Sequence, residues 1–207
     1  MRTYSANADP AGGRVYVTRT GSAGVDVLAL DVAMRPVGSV TVTGHSGAAA
    51  AGLRISADGT RLYAAVRQPA GDTVVVLDRD LQIVDTVKVG ATIIDVAVSP
   101  DGARLYVATS GSDGRGRVHV VDTRTHAVSS SRVIEAQLIQ LIAGRDGQRI
   151  YLVTDGAVIV MCARTSETLG TLAGIADPSC AAESPDGGRL YIAGFDGKVS
   201  IASLTCG

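Results

Sequence analysis

The chain has 207 residues, 46% hydrophobic and 19% charged, long enough to bury a substantial core and too apolar to stay disordered. A net charge of −1, with both signs interspersed, excludes the basic stripe of a nucleic-acid-binding surface. The longest apolar runs, such as VIVMCA at 158–163, fall far short of the ~20 residues of a membrane-spanning helix, and the opening MRTYSANADP lacks the apolar stretch of a signal peptide.

In chain order, a first strand TYSANAD (3–9) runs into DPAGGRVYVTRT (9–20), and this hairpin returns four times. The returns read SADGTRLYAAVR (56–67), SPDGARLYVATS (99–110), GRDGQRIYLVTD (144–155) and SPDGGRLYIAGF (184–195). Tyr16, Tyr63, Tyr106, Tyr151 and Tyr191 mark the units at separations of 47, 43, 45 and 40 residues. A period in the forties built of short strands predicts propeller-like units, because helical repeats of that length would show a 3.6-residue spacing. The third unit divides into four strands, at 93–99, 104–110, 117–123 and 127–134. Its PDG turn places proline at a fixed φ, aspartate as a cap and glycine at positive φ. Runs such as TVVVLD (73–78) are apolar on both faces, as expected of sheets covered on both sides. The expected fold is an all-β propeller domain of about five four-stranded blades, at 1–43, 44–89, 90–134, 135–173 and 174–207.

The stretch GATIIDVAVSPDGARLYVATSG (90–111) resembles the YVTN-type β-propeller repeat, G-x-x-P-x-x-V-A-V-S-P-D-G-x-x-x-Y-V-[AT]-N, with Ile93 where proline is usual. GIADPSCAAESPDGGRLYIAG (174–194) keeps that proline as Pro178 but sets Glu183 in an apolar slot, and YVTR (16–19) is close to the namesake. The resemblance implies a propeller and says little of function, since the fold hosts enzymes, binders and structural proteins. It also implies seven blades, so five units with a three-stranded last one admit three readings. These are a piece of a larger propeller, a five-bladed ring, or a unit completed by a second copy through its open strand edge. Proteins of this type are often exported or surface-exposed, which would place the parent protein there.

Inner strands line a propeller's channel, and aligning the units by their turns puts a polar residue in each: Asn7, Arg54, Asp95, Gln140 and Glu183. A buried polar group must be paired or wet. Either these residues form a hydrated channel with Arg54 balanced by Asp95 or Glu183, or they form a ligand site. The loops entering the inner strands carry His45 and Ser46, Thr92, Gln137, and Asp177 with Ser179, and His45, Gln137 and Asp177 join the candidate ligand-binding residues. GHSGA (44–48) is no nucleophile elbow: its last glycine is replaced by Ala48 and no strand–turn–helix surrounds it. SGSDGRGR (110–117) leads into a strand and so lacks the helix N-terminus of a phosphate cradle.

Arg14, Arg61, Arg104, Arg149 and Arg189 recur at one place in every unit and read as part of the fold, four of them able to pair locally with an aspartate three residues earlier, such as Asp101 to Arg104. His119 and His126 are too scattered to predict a metal site, and Cys162, Cys180 and Cys206 leave an odd thiol without CxxC spacing. With 3% aromatics and no tryptophan, sugar platforms and base-stacking surfaces are not expected. No catalytic residue, metal or cofactor is assigned. The expected function is a non-catalytic binding module for a protein or small-molecule ligand at the channel face. One alternative is a hydrolase resembling propeller lactonases, which needs His, Glu and Arg to converge. The other is an assembly unit forming a homo-oligomer.

Overall fold

The computed structural model describes residues 2–172, 174–175 and 177–204. Blade 1 is β1 (Arg2–Ala8), β2 (Arg14–Gly21), β3 (Gly24–Asp31) and β4 (Pro36–Thr43). Blade 2 is β5 (Ala49–Ile55), β6 (Arg61–Arg67), β7 (Thr73–Asp78) and β8 (Ile83–Lys88). Blade 3 is β9 (Thr92–Val98), β10 (Arg104–Ser110), β11 (Gly116–Asp122) and β12 (Val128–Ile134). Blade 4 is β13 (Leu138–Ala143), β14 (Arg149–Thr154), β15 (Val158–Cys162) and β16 (Thr168–Leu172), and blade 5 is β17 (Pro178–Glu183), β18 (Arg189–Gly194) and β19 (Val199–Ser203). Each blade is an antiparallel meander paired in chain order. The strands of the third unit fall within one residue of their expected positions.

The turn between the first two strands repeats its chemistry. In blade 3 the Ser99 hydroxyl donates to Asp101 Oδ1 at 2.5 Å and accepts from the Arg104 backbone N–H at 2.9 Å, while Gly102 takes φ +71°. Ser56 and Ser184 do the same with Asp58 and Asp186. This corrects the expected Asp–Arg pairing. The serine takes the aspartate, and among the described residues the local ion pair forms only at Arg149–Asp146, at 3.7 Å.

Among the described residues the apolar core forms four clusters, one between each pair of successive blades. The first joins Tyr16, Val25, Val27 and Ala29 of blade 1 to Leu53, Leu62, Ala64, Leu77 and Leu81 of blade 2. The next joins Tyr63, Ala65, Val74 and Val76 to Leu105, Val107 and Val121. Tyr106, Ala108 and Val118 then meet Ile150, Leu152 and Met161, and Tyr151, Val153 and Val158 meet Leu190 and Ile192. Each blade therefore shows its tyrosine face to the next blade and its opposite face to the one before. That is why Thr73–Leu77 is buried throughout, as an alternating half-exposed strand would not be.

At two junctions, blade 1 to 2 and blade 3 to 4, the repeated arginine and tyrosine clasp neighbouring blades together. Tyr16 Oη and Arg14 Nη1 both donate to the Arg79 carbonyl, at 2.9 and 2.8 Å. Tyr106 Oη and Arg104 Nη1 both donate to the Ala163 carbonyl at 3.3 Å. The acceptor each time is the residue after the third strand of the next blade. Arg14 and Arg104 thus act across blades, whereas Arg61 donates to the Thr60 carbonyl beside it and Arg149 pairs locally with Asp146. Cys162 is half-buried at the end of β15, its thiol pulled below the usual range by hydrogen bonds from Thr165. Cys180 is exposed on β17, and Cys206 lies outside the described residues.

Candidate functional site

The innermost strands β1, β5, β9, β13 and β17 lie beside one another in that order. Cross-strand register shows that the five polar residues do not occupy one equivalent position. Asn7 and Arg54 stand opposite Tyr16 and Tyr63. Asp95 and Gln140 stand opposite Ala108 and Val153, two residues past the tyrosine, on the same face of the blade. Glu183 stands opposite Leu190, one residue before the tyrosine, and so lies on the other face. The offset is already visible on counting from the turns: the five residues stand two, two, four, four and one residues before Asp9, Ser56, Ser99, Gly144 and Ser184, and the bulge of each inner strand lies farther from the turn than its polar residue.

These side chains latch each inner strand to the next. Asn7 Nδ2 donates to the Leu53 carbonyl at 2.8 Å. Arg54 donates from Nη1 to the same carbonyl at 2.8 Å and from Nη2 to Asp95 Oδ1 at 2.9 Å. Asp95 Oδ2 accepts from the Leu141 N–H at 3.2 Å, and Gln140 Oε1 accepts from the Ala181 N–H at 2.7 Å. Glu183 reaches back instead, accepting from the Arg145 N–H at 2.7 Å. The balancing partner of Arg54 is Asp95. Burial pushes the Asp95 carboxyl above its ordinary range, while the Arg54 guanidinium and the Leu141 and Val96 N–H groups pull it back down.

A cavity of about 630 Å³ opens against this row, walled by Asn7, Arg54, Gln140, Ile142, Arg145 and Ala182 among others. It lies toward the C-terminal ends of the inner strands, beside the serine–aspartate turns. His45, Gln137 and Asp177 precede the N-terminal ends of β5, β13 and β17, and they do not line it. Five residues of strand at about 3.3 Å each put Asp177 and Glu183 roughly 17 Å or more apart along the chain direction. His45, Gln137 and Asp177 are exposed, with the Gln137 and Asp177 carbonyls accepting from Asp155 and Phe195. The inner-strand residues therefore gather, and the loop residues form a separate end.

Sequence reasoning missed Arg145. The signal was present: the turn residue that is proline at Pro100 and Pro185 is arginine in GRDG (144–147). Among the described residues the Arg145 side chain is exposed and has no ion-pair partner.

Away from the channel, the buried His119 ring lies between Thr109 Oγ1, 3.1 Å from Nε2, and Ser131 Oγ, 2.8 Å from Nδ1. Burial, and secondarily the Arg117 charge, hold its pKa below the ordinary histidine value. His126 Nδ1 sits 2.7 Å from Asp85 Oδ2, bridging blade 3 to blade 2.

No family model matches the chain. Over 127 residues, 60% of its length, it is 42% identical to the seven-bladed beta-propeller protein Rv1057 of Mycobacterium tuberculosis, of which it spans 32%. It superposes on the Cps50 (Swd1) beta-propeller domain of Myceliophteria thermophila with a TM-score of 0.79 at 17% identity, covering 99% of this chain and 66% of that one. Hydrazine synthase of Kuenenia stuttgartiensis gives a TM-score of 0.77 at 19% identity, covering 98% and 66%. At such identities the likeness shows the fold and nothing about activity. Five face-packed antiparallel blades, matched to propellers by sequence and by superposition, make this chain an all-β propeller.

Proposed function

We propose that the chain is a non-catalytic binding module of YVTN-type repeats, and that its ligand presents a carboxylate to the inner-strand cavity. Arg145 carries this reading. It is the guanidinium on the cavity wall left without an ionic partner among the described residues, whereas Arg54 is committed to Asp95. An arginine fork meets a carboxylate with two parallel hydrogen bonds, and the Gln140 amide NH₂ on the same wall supplies a further donor. The carboxylate could belong to a small molecule or to an acidic side chain of a protein.

Calorimetric titration of the 207-residue chain with citrate and with a Glu-rich hexapeptide tests this. Binding of either probe that weakens at least tenfold in Arg145→Ala supports the reading and identifies the source. Binding of neither, or binding indifferent to that substitution, overturns it. The lactonase alternative requires Glu183, Arg54 and His45 to converge. Glu183 is instead turned to the Arg145 backbone, and His45 stands off the cavity wall. No turnover of glucono-δ-lactone is expected.

A further inference from the structure

A second cavity, of about 330 Å³, opens where the linker at 89–91 passes from blade 2 to blade 3. Strand β9 touches the Arg145 cavity with Ala97 and Val98, near its far end, and begins beside this one, just after Ala91. The two cavities therefore stand at opposite ends of the inner strands and share no residue. Arg115, Arg117 and His119 line the second one together with Asp113 and Thr109, and its remaining wall is uncharged. Arg117 and His119 are two apart on β11, so they project from one face of it.

Register shows that these side chains are peculiar to blade 3. Next to the strand partner of the repeat tyrosine, blade 3 has His119 where blades 1, 2 and 4 have Leu28, Val75 and Ile159 and blade 5 has Ser200. His119 is only 8% exposed, and burial penalises its charged form. An aliphatic residue would serve the blade junction at no such cost, and departures of this kind gather at functional sites. Two residues earlier, Arg117 stands opposite Thr109. The equivalent cross-strand pair in blade 1 is Arg19 with Asp26, an ion pair at 2.9 Å. Blade 3 keeps a cation in that pair and has no carboxylate to match it. Asp113 is engaged by Arg115 at 2.8 Å, and Arg115 also reaches Glu135 at 3.2 Å. Among the described residues the Arg117 side chain makes no hydrogen bond or ion pair.

We infer that this cavity binds an oxyanion, the phosphate or carboxylate group of a small molecule, with Arg117 as its ionic partner. The guanidinium fork offers paired donors to either group. His119 registers the occupant. Its charged form is disfavoured first by burial and then by the Arg117 charge, and an anion beside Arg117 offsets the second of these. Binding therefore makes the ring easier to protonate, and by linkage the anion binds more tightly as His119 takes up its proton. The inference does not depend on the carboxylate reading of the Arg145 cavity.

Ring proton–carbon spectra of the three histidines, recorded from pH 5 to 8 with and without inorganic phosphate or acetate, test it. The proteins are wild type, Arg117→Ala and Arg145→Ala. At least one anion is expected to move the His119 signal saturably and to shift its titration to higher pH, with the His45 and His126 signals unmoved. Which anion does so identifies the group. In Arg117→Ala the affinity should fall at least about tenfold, the worth of one charge-assisted hydrogen bond, and the titration should no longer respond. Arg145→Ala should behave as wild type. Circular dichroism melts matching wild type establish that both variants fold. A His119 signal that neither anion moves overturns the inference, as does a response that survives Arg117→Ala. A response lost in Arg145→Ala would place the anion in the other cavity and overturn it equally.

Discussion

The Tyr16 hydroxyl donates to the Arg79 carbonyl at 2.9 Å, across 63 residues of sequence and from one blade to the next. Arg14 reaches the same oxygen, so a turn carbonyl that would otherwise lose water on burial keeps two donors. Repeating this contact with Tyr106 and Ala163 makes the residue pattern a joint between blades rather than an ornament of each hairpin.

Removing the hydroxyl isolates that joint. Tyr16→Phe and Tyr106→Phe are each expected to cost about 0.5–1.5 kcal/mol, the net worth of one hydrogen bond whose acceptor keeps its arginine. Tyr191→Phe, whose hydroxyl has no partner among the described residues, should change little at low protein concentration. Urea unfolding of the three variants decides; equal losses at all three positions would refute an inter-blade role.

Truncating the latch between blades 2 and 3 should depend on pH. The Asp95 carboxyl is already raised by burial, with Arg54 holding it down, so Arg54→Ala raises it further and leaves a buried charge unpaired. A carboxylate whose folded pKa lies above its unfolded value is protonated more readily in the folded state, so its ionisation subtracts stability as pH rises. The variant's deficit is therefore expected to be largest near pH 7–8, at about 3 kcal/mol, the low end for a broken buried pair because Arg54 is partly exposed. It should shrink toward pH 4–5. A deficit that is flat with pH would show that Asp95 is not the group left unpaired.

His119 gives the opposite acid limb. Its folded pKa is below the ordinary value, so below about pH 6.5 the unfolded chain takes up a proton that the folded chain resists. Stability should fall between pH 7.5 and 5 in wild type and fall less in His119→Gln, which retains an amide between Thr109 and Ser131. Parallel pH profiles of the unfolding midpoint for the two proteins would exclude His119 as the source.

Leu81 and Met34 hold the same turn position in successive blades, one covered and one not. Leu81→Ala is expected to cost about 2–4 kcal/mol, as deletion of a buried side chain does. Met34→Ala should cost under about 0.5 kcal/mol, as at an ordinary surface site. Thermal or chemical unfolding at low concentration compares them, and similar losses at both sites would mean that Met34 is covered in solution.

Much of the fold is legible in the residues because it is written locally. The aspartate and glycine of each turn, joined by serine in three of them, set the hairpin, and short strands apolar on both faces with a tyrosine every forty-odd residues set the blades. The site is less legible. Asn7, Arg54, Asp95, Gln140 and Glu183 stand two, two, four, four and one residues before their turns, which sets Glu183 on the other face, but what each meets on the neighbouring strand is not visible in that count. A shift of one residue reverses the direction of a strand side chain.

By itself the sequence determined the strand units, their turns and the polar character of the inner strands, since each depends on contacts within a single hairpin. Only the tertiary structure decided what those groups meet. Arg14 joins Tyr16 on a neighbouring blade's carbonyl, Arg54 takes Asp95 as its partner, and Arg145 stands on the cavity wall. These outcomes depend on how one sheet is rotated and seated against the next, and no spacing within a single repeat encodes that packing.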